Sequence, residues 1–505
     1  MTTFAHRCAL DTPARAEQVA SVIGQLKTSG IAQVRFSWCD QHGNLHGKTL
    51  MIGAVERALH EGVNMVGTLM LKDISGHTSY KVFEPDALAG MPGFAHAANL
   101  VMLPDPASFR ILPWASHTAW MLCQPWFPDA TPVAIDTRRV LQQALAKLAQ
   151  AGFGLMCGLE VEFHIYRIED RGATDPGGAL DPDQAAWPAP VPRVSILHPG
   201  YDLLSEALAD RTHAALRIVQ DTAQGLGLPL TSLEIEAGPS QFEAVFEATD
   251  ALTAADHMVL FRNGVTQALR RAGYHATFMC RPPFANIMSS GWHLHQSLTE
   301  LATGRNAFMR PKSKPGSAPR DAQHVLSPTG EHYLAGLLAH AAGMAVFATP
   351  TINGYGRYRP HALAPRAALW GRDNRGAMLR VIGTAPRAGS DPAGDAATRI
   401  ENRLGEPAAN PYLYMASQII AGLDGLRRAL AAPQASDDPY GGGAAALPAS
   451  LDEALQALTA DSVLVEGFGA GFVRYIETIK RNELAQHAQT QDPQEWERRA
   501  YFGRI

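Results

Sequence analysis

The stretch GLEVEFHIY, residues 158–166, places two carboxylates two positions apart in an otherwise apolar run. Alternate side chains of a β-strand point to the same face, so Glu160 and Glu162 would project together from such a strand. A buried pair of like charges costs free energy unless a positive group lies between them. We therefore expect this strand to belong to a site that holds positive charge.

The composition indicates an ordered globular protein of two or three domains. The chain has 505 residues, of which 46% are hydrophobic and 18% are charged, and this balance suits a large buried core. The formal net charge of -5 argues against a general role in binding nucleic acid or a membrane surface.

The five cysteines are scattered and include no Cys-x-x-Cys pair. This pattern predicts reduced, buried thiols in a cytoplasmic protein, with neither a zinc ribbon nor a disulfide framework. The first residues, MTTFAHRCALD, lack the apolar core of a signal peptide. A long uncharged run begins at Tyr333, and we interpret it as one buried helix rather than a membrane span.

Predicted strands and helices mix along the chain without a regular strand–helix–strand rhythm, which favours an α+β fold. The linker-like segment FPDATPVAID suggests a boundary near residue 130, with an N-terminal domain over 1–130 and a larger domain over 131–505. Pro-rich loops are expected at 171–193 and 310–328. The predicted helices are 13–29, 54–61, 137–151, 203–225 and 250–272, and the predicted strands flank a turn at 41–44 and cover 100–105, 158–166, 231–237 and 241–246.

Three further segments place acids or imidazoles at short spacing in apolar surroundings. EAGPSQFE carries Glu236 and Glu243, GWHLHQS carries His293 and His295, and RIENR carries Glu401. Each motif alone is more often a solvated face than a site, but the series is harder to explain in that way. Carboxylate-rich sets with few histidines suit Mg²⁺ or Mn²⁺ better than zinc, and two such ions often bridge substrate phosphates.

An arginine-rich segment over residues 353–381 supplies the complementary positive charge. Guanidinium groups stay charged and fork onto carboxylate or phosphate oxygens, so this segment predicts anionic substrates beside the acids. The sequence contains no GxxxxGK[ST] loop, so metal ions and arginines would have to hold a nucleotide. The arginines are Arg357, Arg359, Arg366, Arg372, Arg375 and Arg380.

Together these motifs resemble those of the glutamine synthetase family. GLEVEF, EAGPSQFE, SGWHLHQSL, NGYGR with WGRDNR, and RIENRLGEPAANPYLYMASQIIAGLDG occur in the family's order, between about residues 20 and 480. The resemblance implies an ATP-dependent ligase in which ATP phosphorylates the γ-carboxylate of glutamate and an amine then displaces phosphate. It also implies a small β-grasp-like N-terminal domain, a catalytic domain with a curved antiparallel sheet, and a dodecamer of two hexameric rings with sites between subunits.

The resemblance also implies two to three Mg²⁺ or Mn²⁺ ions in each site. Glu234 competes with Glu236 for one ligand position because both would lie on the same strand face. The implied ligands are Glu162, Glu236 and Glu243 for one ion, and Glu160, His293 and Glu401 for a second.

Further residues take implied roles in binding the substrates, ATP and glutamate, and in catalysis. Asp40 matches an acid that reaches a neighbouring subunit's site and helps to deprotonate the amine. The other implied roles are ATP binding by His295, Arg375, Arg380 and Arg399, contact with the transferred phosphoryl group by Arg375 and Arg403, and glutamate binding by Arg357 and Arg403.

Two departures from the family's pattern concern the substrate pocket. The family's ammonium-binding glutamate falls at Leu363, and an Asn-Gly pair that touches glutamate is replaced by Met288 and Ser289. An apolar side chain can neither solvate an ammonium ion nor accept its proton, so Leu363 favours an aromatic or branched alkyl amine. The expected protein is a cytoplasmic glutamate–amine ligase of amine catabolism.

Other functions stay open at this point. Asp40 alone could serve as the base for glutamine synthesis from ammonia, and a polyamine or ethanolamine is an alternative amine. A non-catalytic relative is disfavoured because all six implied metal ligands are present. A guanidino kinase would need a reactive cysteine in the pocket, and apart from the proximity of Cys280 in sequence the motifs do not match.

Overall fold

The structure, a computed structural model, describes residues 2–84, 91, 93–169, 187–310, 325–359, 363–383 and 395–505. Most of the two predicted Pro-rich loops lies outside these residues. Within the described chain, the helices are α1 (Phe4–Arg7), α2 (Pro13–Thr28), α3 (Ile52–Glu61), α4 (Thr137–Gln150), α5 (Glu206–Gly225), α6 (Ala251–Arg271), α7 (Pro328–Ala339), α8 (Ala341–Ala348), α9 (Pro411–Arg428), α10 (Leu451–Ala460), α11 (Ser462–Phe468), α12 (Ala470–Gln489) and α13 (Pro493–Glu497).

Helices and strands alternate irregularly, so the predicted α+β class is confirmed. The helices and strands predicted with residue bounds are all present, with ends shifted by a few residues, but the run that begins at Tyr333 differs from its prediction. The described strands are β1 (Gln33–Cys39), β2 (Leu45–Met51), β3 (Val63–Val66), β4 (Asn99–Pro104), β5 (Arg110–Ile111), β6 (Thr118–Trp126), β7 (Phe153–Ile168), β8 (Val194–Ile196), β9 (Leu230–Ile235), β10 (Gln241–Asp250), β11 (Tyr274–Thr277), β12 (Trp292–Glu300), β13 (Trp370–Arg372), β14 (Leu379–Ile382) and β15 (Arg399–Gly405).

The first six strands form one sheet in the order β2-β1-β6-β4-β3, with β5 beside β6. The turn that joins β1 to β2 is held by Asp40, whose Oδ1 accepts the backbone N–H groups of His42 and Asn44 at 2.9 and 2.8 Å. Gly43 lies in this turn at φ 82°, a conformation that glycine adopts without steric cost. These contacts explain why the predicted hairpin forms.

The remaining strands form a second sheet in the order β13-β14-β15-β12-β7-β10-β9, with β8 and β11 also paired to β7. All its described pairs are antiparallel except β13 with β14. The central strand β7 runs for 16 residues, longer than predicted, because β12 pairs along its residues 153–161, β10 along 156–164, and β11 and β8 with its last residues.

One hydrophobic core connects the two sheets. A continuous cluster of buried side chains reaches from Val19 to Ile479 and includes Trp38 of the first sheet and Trp292 of the second. Because burial of apolar area dominates folding free energy, this shared core stabilises the position of the first sheet against the second.

The prediction of one helix for the uncharged run that begins at Tyr333 is wrong, because the run contains parts of two helices. Helices α7 and α8 meet at His340, whose backbone leaves helical geometry at φ -107° and ψ 12°. Its ring contacts Asp424 and Asp461 at 3.1 and 2.7 Å. The run is buried, as predicted. Among the described helices, none combines the length and apolar character needed to cross a membrane.

Candidate active site

The register of the second sheet brings the predicted acids and imidazoles into one row. Glu162 of β7 lies opposite Glu243 of β10, which in turn lies opposite Glu234 of β9. Glu160 lies opposite His293 of β12. His295, two residues further along β12, lies opposite Glu401 of β15, and Glu401 lies opposite Arg380 of β14.

This row borders a cavity of about 580 Å³, which we call the acid cavity. Glu160 and Glu162 both line it, as the strand alternation of β7 predicts. Its other lining residues are Leu203, Leu204, Glu234, Glu236, Ala237, Gln241, Glu243, Val245, Met288, Ser289, His293, Arg357, Leu363, Arg375, Arg380 and Arg403.

His293 lies at the centre of two groups of candidate metal ligands. Its Nδ1 is 3.4 Å from Glu160 and 3.9 Å from Glu401, and these three residues form the first group. The second group contains Glu162 and Glu243 together with the same histidine. Within each group the ligand atoms lie within 4.8 Å of one another, which is close enough for one cation to contact all of them.

Glu236, expected in the second group, lies beside it. Its carboxylate accepts the backbone N–H of Ala237 at 3.0 Å, and it lines the acid cavity with Glu162 and Glu243. Glu234 also lines the cavity and accepts a hydrogen bond from Ser232 at 2.8 Å.

The acids of the second group repel one another. Burial raises the pKa of Glu243, and the charges of Glu162 and Glu160 raise it further. Burial also raises the pKa of Glu162, followed by the charge of Glu236. Glu243 Oε1 is buried and has no hydrogen-bond donor in the described chain. These acids would have to share protons in the free protein, so their donor set fits a divalent cation, which would replace those protons.

The carboxylates of the first group are stabilised by hydrogen bonds and by an arginine. Burial alone would raise the pKa of Glu160, but hydrogen bonds with His293 and His295 lower it well below its usual range. Burial also opposes ionisation of Glu401, but the neighbouring ring of His293 and the charge of Arg403 outweigh it and lower its pKa. These two carboxylates therefore stay ionised, as metal ligands must.

Arginines from three segments surround the acids. Arg403 forms an ion pair with Glu401, and Arg380 contacts the other oxygen of that carboxylate at 2.9 Å. Arg357 is buried and donates from Nη1 to the carbonyls of Arg403 and Gly405 at 3.0 and 3.1 Å. Cationic groups thus contact the row of acids directly at Glu401.

The other arginines of residues 353–381 do not all belong to this cavity. Arg375 lines it and is exposed. Arg359 instead lines a separate cavity together with Arg281, and neither Arg366 nor Arg372 lines the acid cavity. The predicted cluster of six arginines is therefore divided by the fold: Arg357, Arg375 and Arg380 line the acid cavity, and the other three do not.

A second cavity, of about 650 Å³, lies on the same sheet and shares Glu160 with the acid cavity. His295 and Arg399 line it, and Arg399 donates to the His295 ring at 3.0 Å. Most of its remaining walls are small or apolar side chains such as Gly158 and Ala248, and a few are polar, such as Asn306. The arrangement offers a mostly apolar chamber with positive groups at the end nearest the acids.

Glu162 is held by residues that the sequence analysis did not single out. Gln241 is fully buried and donates to Glu162 and to the Ser290 hydroxyl, each at 3.0 Å. The backbone N–H of Gly291 donates to the same Glu162 oxygen at 2.8 Å. Gln241 lies within EAGPSQFE, between two of the predicted ligands, and this position was the available signal.

The residues that depart from the family's pattern lie at the cavity as well. Leu363 is 60% exposed, and its backbone carbonyl accepts a hydrogen bond from Arg403 at 3.4 Å. Met288 is 39% exposed, and the Ser289 hydroxyl is bonded to Arg281 at 2.5 Å. Residues 360–362, which precede Leu363 in the sequence, lie outside the described chain.

Asp40 does not line the acid cavity of its own chain. It is buried, holds the β1–β2 turn, and pairs with His46 at 2.8 Å. Burial opposes its ionisation, but the bond to His46 outweighs this and lowers its pKa. The role predicted for Asp40 in a neighbouring subunit's site therefore stays a prediction.

These features define a class of protein: a two-sheet α+β chain with a carboxylate–arginine cavity adjoining a second chamber. The sequence profile described as "Glutamine synthetase, catalytic domain" matches residues 134–501, so the chain belongs to the glutamine synthetase family and has its fold. The family was expected from the motifs, and that prediction is confirmed.

Several known proteins are similar over nearly the whole chain. A gamma-glutamylanilide synthase of Acinetobacter sp is 36% identical, with 95% of each chain covered. A glutamine synthetase of Mycobacterium tuberculosis is 30% identical over 94% of this chain and 97% of its own. The solved structure of a GmaS/ADP complex superposes with a TM-score of 0.72 at 27% identity, covering 95% of this chain and 98% of its own.

Proposed function

We propose that the chain is an ATP-dependent ligase that joins the γ-carboxylate of glutamate to an organic amine, with aromatic or alkyl amines favoured. The observation that carries this proposal is the meeting of two cavities at Glu160, one lined by acids and arginines and the other mostly apolar. The similarity to a gamma-glutamylanilide synthase, and at 28% identity to a gamma-glutamylethanolamide synthetase of Streptomyces coelicolor, supports it.

The reaction has two steps. An oxygen of the glutamate γ-carboxylate attacks the terminal phosphorus of ATP, and the bond from that phosphorus to ADP breaks, which gives γ-glutamyl phosphate. The amine nitrogen then attacks the acyl carbon, and the carbon–oxygen bond to phosphate breaks with its electrons leaving on phosphate. The nitrogen passes one proton to a base, the role proposed for Asp40 of a neighbouring subunit. The products are the γ-glutamyl amide, ADP and phosphate.

In this proposal ATP occupies the second cavity and glutamate the acid cavity. His295 and Arg399 bind the phosphates of ATP where the cavities meet, together with Arg380. Arg403 and Arg375 stabilise the charge that develops on the transferred group, since fixed guanidinium groups in a desolvated site lower such barriers most effectively.

Arg357 binds a glutamate carboxylate. Its Nη1 is occupied by backbone carbonyls, whereas the Nη2 side lies against Gly291. A Cβ at position 291 would lie only 2.6 Å from that Nη2. Glycine at this position therefore leaves room for the guanidinium at the cavity wall.

The carboxylate groups fit Mg²⁺ or Mn²⁺. Glu160, His293 and Glu401 would hold one ion, and Glu162 with Glu243 a second, with Glu236 beside it. Bound there, such ions would neutralise phosphate charge and orient the phosphates for in-line transfer. Hard oxygen donors predominate in both groups, which favours these cations over zinc.

The choice of an organic amine follows from Leu363. Its side chain is exposed at the acid cavity, where ammonia would gain nothing from an apolar surface and a hydrocarbon group would gain burial. We further propose a cytoplasmic enzyme of amine catabolism, since the substrates are ATP and glutamate and the five cysteines are free and buried.

A substrate panel tests this function. Purified protein with Mg²⁺, ATP and glutamate is given ammonia, ethanolamine, putrescine, isopropylamine or aniline separately, and phosphate release is measured. We expect kcat/KM to be highest for aniline or isopropylamine, with the γ-glutamyl amide identified by mass spectrometry. A highest value for ammonia would show a glutamine synthetase instead, and no glutamate-dependent release with any amine would contradict ligase activity.

A further inference from the structure

We propose that Leu203, Leu204, Met288 and Leu363 form an apolar subsite that binds the hydrocarbon part of the amine and selects an arylamine. We call these four side chains the apolar rim. The inference rests on the proposed function, because it names the substrate class of the same cavity. Leu203 and Leu204 lie in PGYDLLSE, which the motif analysis left without a role.

The rim is unusual for its exposure. Leu203, Leu204 and Leu363 are 56%, 62% and 60% exposed, and Met288 is 39% exposed. All four line the acid cavity, whose other walls are mostly glutamates and arginines. Single exposed leucines are common on protein surfaces, but several gathered at the mouth of one ionic cavity mark a place where apolar surface is to be covered.

Two of the rim leucines also adopt a costly backbone conformation. Leu204 has φ 58° and Leu363 has φ 53°, in the left-handed region that side chains other than glycine and asparagine avoid. A leucine at such a position gains neither favourable backbone geometry nor burial within this chain. Strain of this kind persists where the surrounding structure enforces it, and it is concentrated at binding sites.

The loop that carries Leu203 and Leu204 is fixed in place. Tyr201 donates its backbone N–H to Ala237 at 2.7 Å, and Leu204 donates to Ile235 at 3.0 Å. The Tyr201 hydroxyl donates to the Asn286 carbonyl at 2.6 Å, which ties this loop to the segment that carries Met288. These bonds preorganise the rim, so little ordering would be needed when a ligand binds.

The chemistry of the rim favours an arylamine over a protonated alkylamine. An arylamine is neutral at pH 7 and presents a flat apolar ring, so it needs apolar walls and no counter-charge at the mouth. An alkylamine is a cation at that pH and is best bound by a carboxylate, which none of the four rim side chains supplies. The cavity volume of about 580 Å³ lies in the usual range of about 300–1,000 Å³ for small-ligand sites.

Kinetics of matched variants test the subsite. Leu204→Asn and Leu363→Asn remove apolar surface while retaining the backbone, since asparagine tolerates positive φ. Leu301→Asn is the control, because Leu301 is 56% exposed and does not line the acid cavity. We expect the ratio of kcat/KM for aniline to that for methylamine to fall roughly tenfold or more in each rim variant and to stay at the wild-type value in the control.

A binding measurement separates failure of the subsite from failure of the proposed function. Saturation-transfer NMR with aniline, in the presence of ATP analogue and glutamate, reports binding even if no amine is turned over. A saturable aniline signal in the wild type and in Leu301→Asn that is lost in both rim variants would support the subsite. Absence of the signal from the wild type, an equal signal in all four proteins, or a parallel loss of aniline and methylamine turnover would overturn it.

Discussion

His293 joins the two groups of acids through one imidazole ring. Its Nδ1 faces Glu160 and Glu401, and its Nε2 is 3.9 Å from Glu162. Burial and then the charge of Arg403 lower the pKa of His293 to about 4, so its ring is neutral at pH 7. Only the neutral ring has a free nitrogen lone pair, which is the form that binds metal ions.

Gln241 positions Glu162 rather than contacting substrate, and we expect Gln241→Met to weaken metal binding. Methionine retains the volume but cannot donate to Glu162 or Ser290, so the carboxylate loses its orientation. Loss of a residue that orients a ligand costs about 10–100-fold in metal affinity. The apparent Mg²⁺ constant for phosphate release should therefore rise at least roughly tenfold.

The matched control for this change is Gln142→Met, since Gln142 on α4 accepts a hydrogen bond from Gln124 on β6 and lies outside the acid cavity. A lowered melting temperature of Gln241→Met with an unchanged Mg²⁺ constant would assign Gln241 a purely structural role.

At the scale of elements, α7 and α8 are joined at His340, a buried residue that pairs with two acids. His340 bonds to Asp461 and Asp424, and Arg428 also contacts Asp424 at 2.9 Å. Burial lowers the pKa of His340, but the bonds to Asp461 and Asp424 outweigh it, so the net pKa is raised. The same bonds outweigh burial at both aspartates and lower their pKa values.

We expect His340→Gln to destabilise the fold in a pH-dependent way. Because the pKa of His340 is raised on folding, its stabilisation is complete below the pKa of the unfolded chain, about 6.5, and is lost as pH rises through the pKa of the folded protein. Because the pKa values of the two aspartates are lowered on folding, the stabilisation is also lost below about pH 4, where the aspartates take up protons. The loss in unfolding free energy, about 1–3 kcal/mol, should therefore be largest near pH 5 to 6 and shrink as pH rises above the unfolded value, through the raised folded pKa.

Denaturant unfolding of both proteins across this pH range measures the difference. His332→Gln serves as control, because His332 bonds to the Leu430 carbonyl at 2.8 Å and forms no ion pair with an acid of the described chain. A difference for His340→Gln that does not vary with pH would contradict the ionic contact.

At the scale of the whole molecule, the chain contains two sheets around a shared core. The strands up to Trp126 form the first sheet and those from Phe153 onward form the second, which supports our proposal of a domain boundary near residue 130. We also propose a dodecamer with sites between subunits, in which Asp40 of one subunit completes the acid cavity of the next.

Mixed oligomers test the shared site. Asp40→Asn and Glu401→Gln should each be inactive alone, yet hybrids formed by co-expression should regain activity, because a site with native Asp40 and native Glu401 can form from two different subunits. If the two variants assemble at random, about one quarter of the sites contain both native residues. The expected activity per site is therefore about one quarter of that of the wild type, measured as phosphate release from oligomers purified through a different tag on each variant.

The control pairs Glu401→Gln with Arg403→Lys, two changes on the same strand, which cannot complement each other. A monomer in analytical ultracentrifugation, or no regained activity in the Asp40 hybrid, would contradict a site shared between subunits.

Much of the site was predictable from local sequence. Alternation along residues 158–166 was enough to place Glu160 and Glu162 on one face, because side-chain direction in a strand depends only on the backbone of that strand. The same holds for the turn at residues 41–44 and for the helices, whose apolar spacing and capping residues are local properties.

Tertiary structure alone decided which of these residues meet. The register between distant strands placed His293 opposite Glu160 and left Glu236 beside the group in which it was expected, and no local pattern specifies such a pairing. Tertiary packing also divides the run that begins at Tyr333 into two helices at His340. It brings Leu204 and Leu363 to one cavity. Contacts between residues far apart in the chain form only when the whole core packs, so sequence periodicity cannot reveal them.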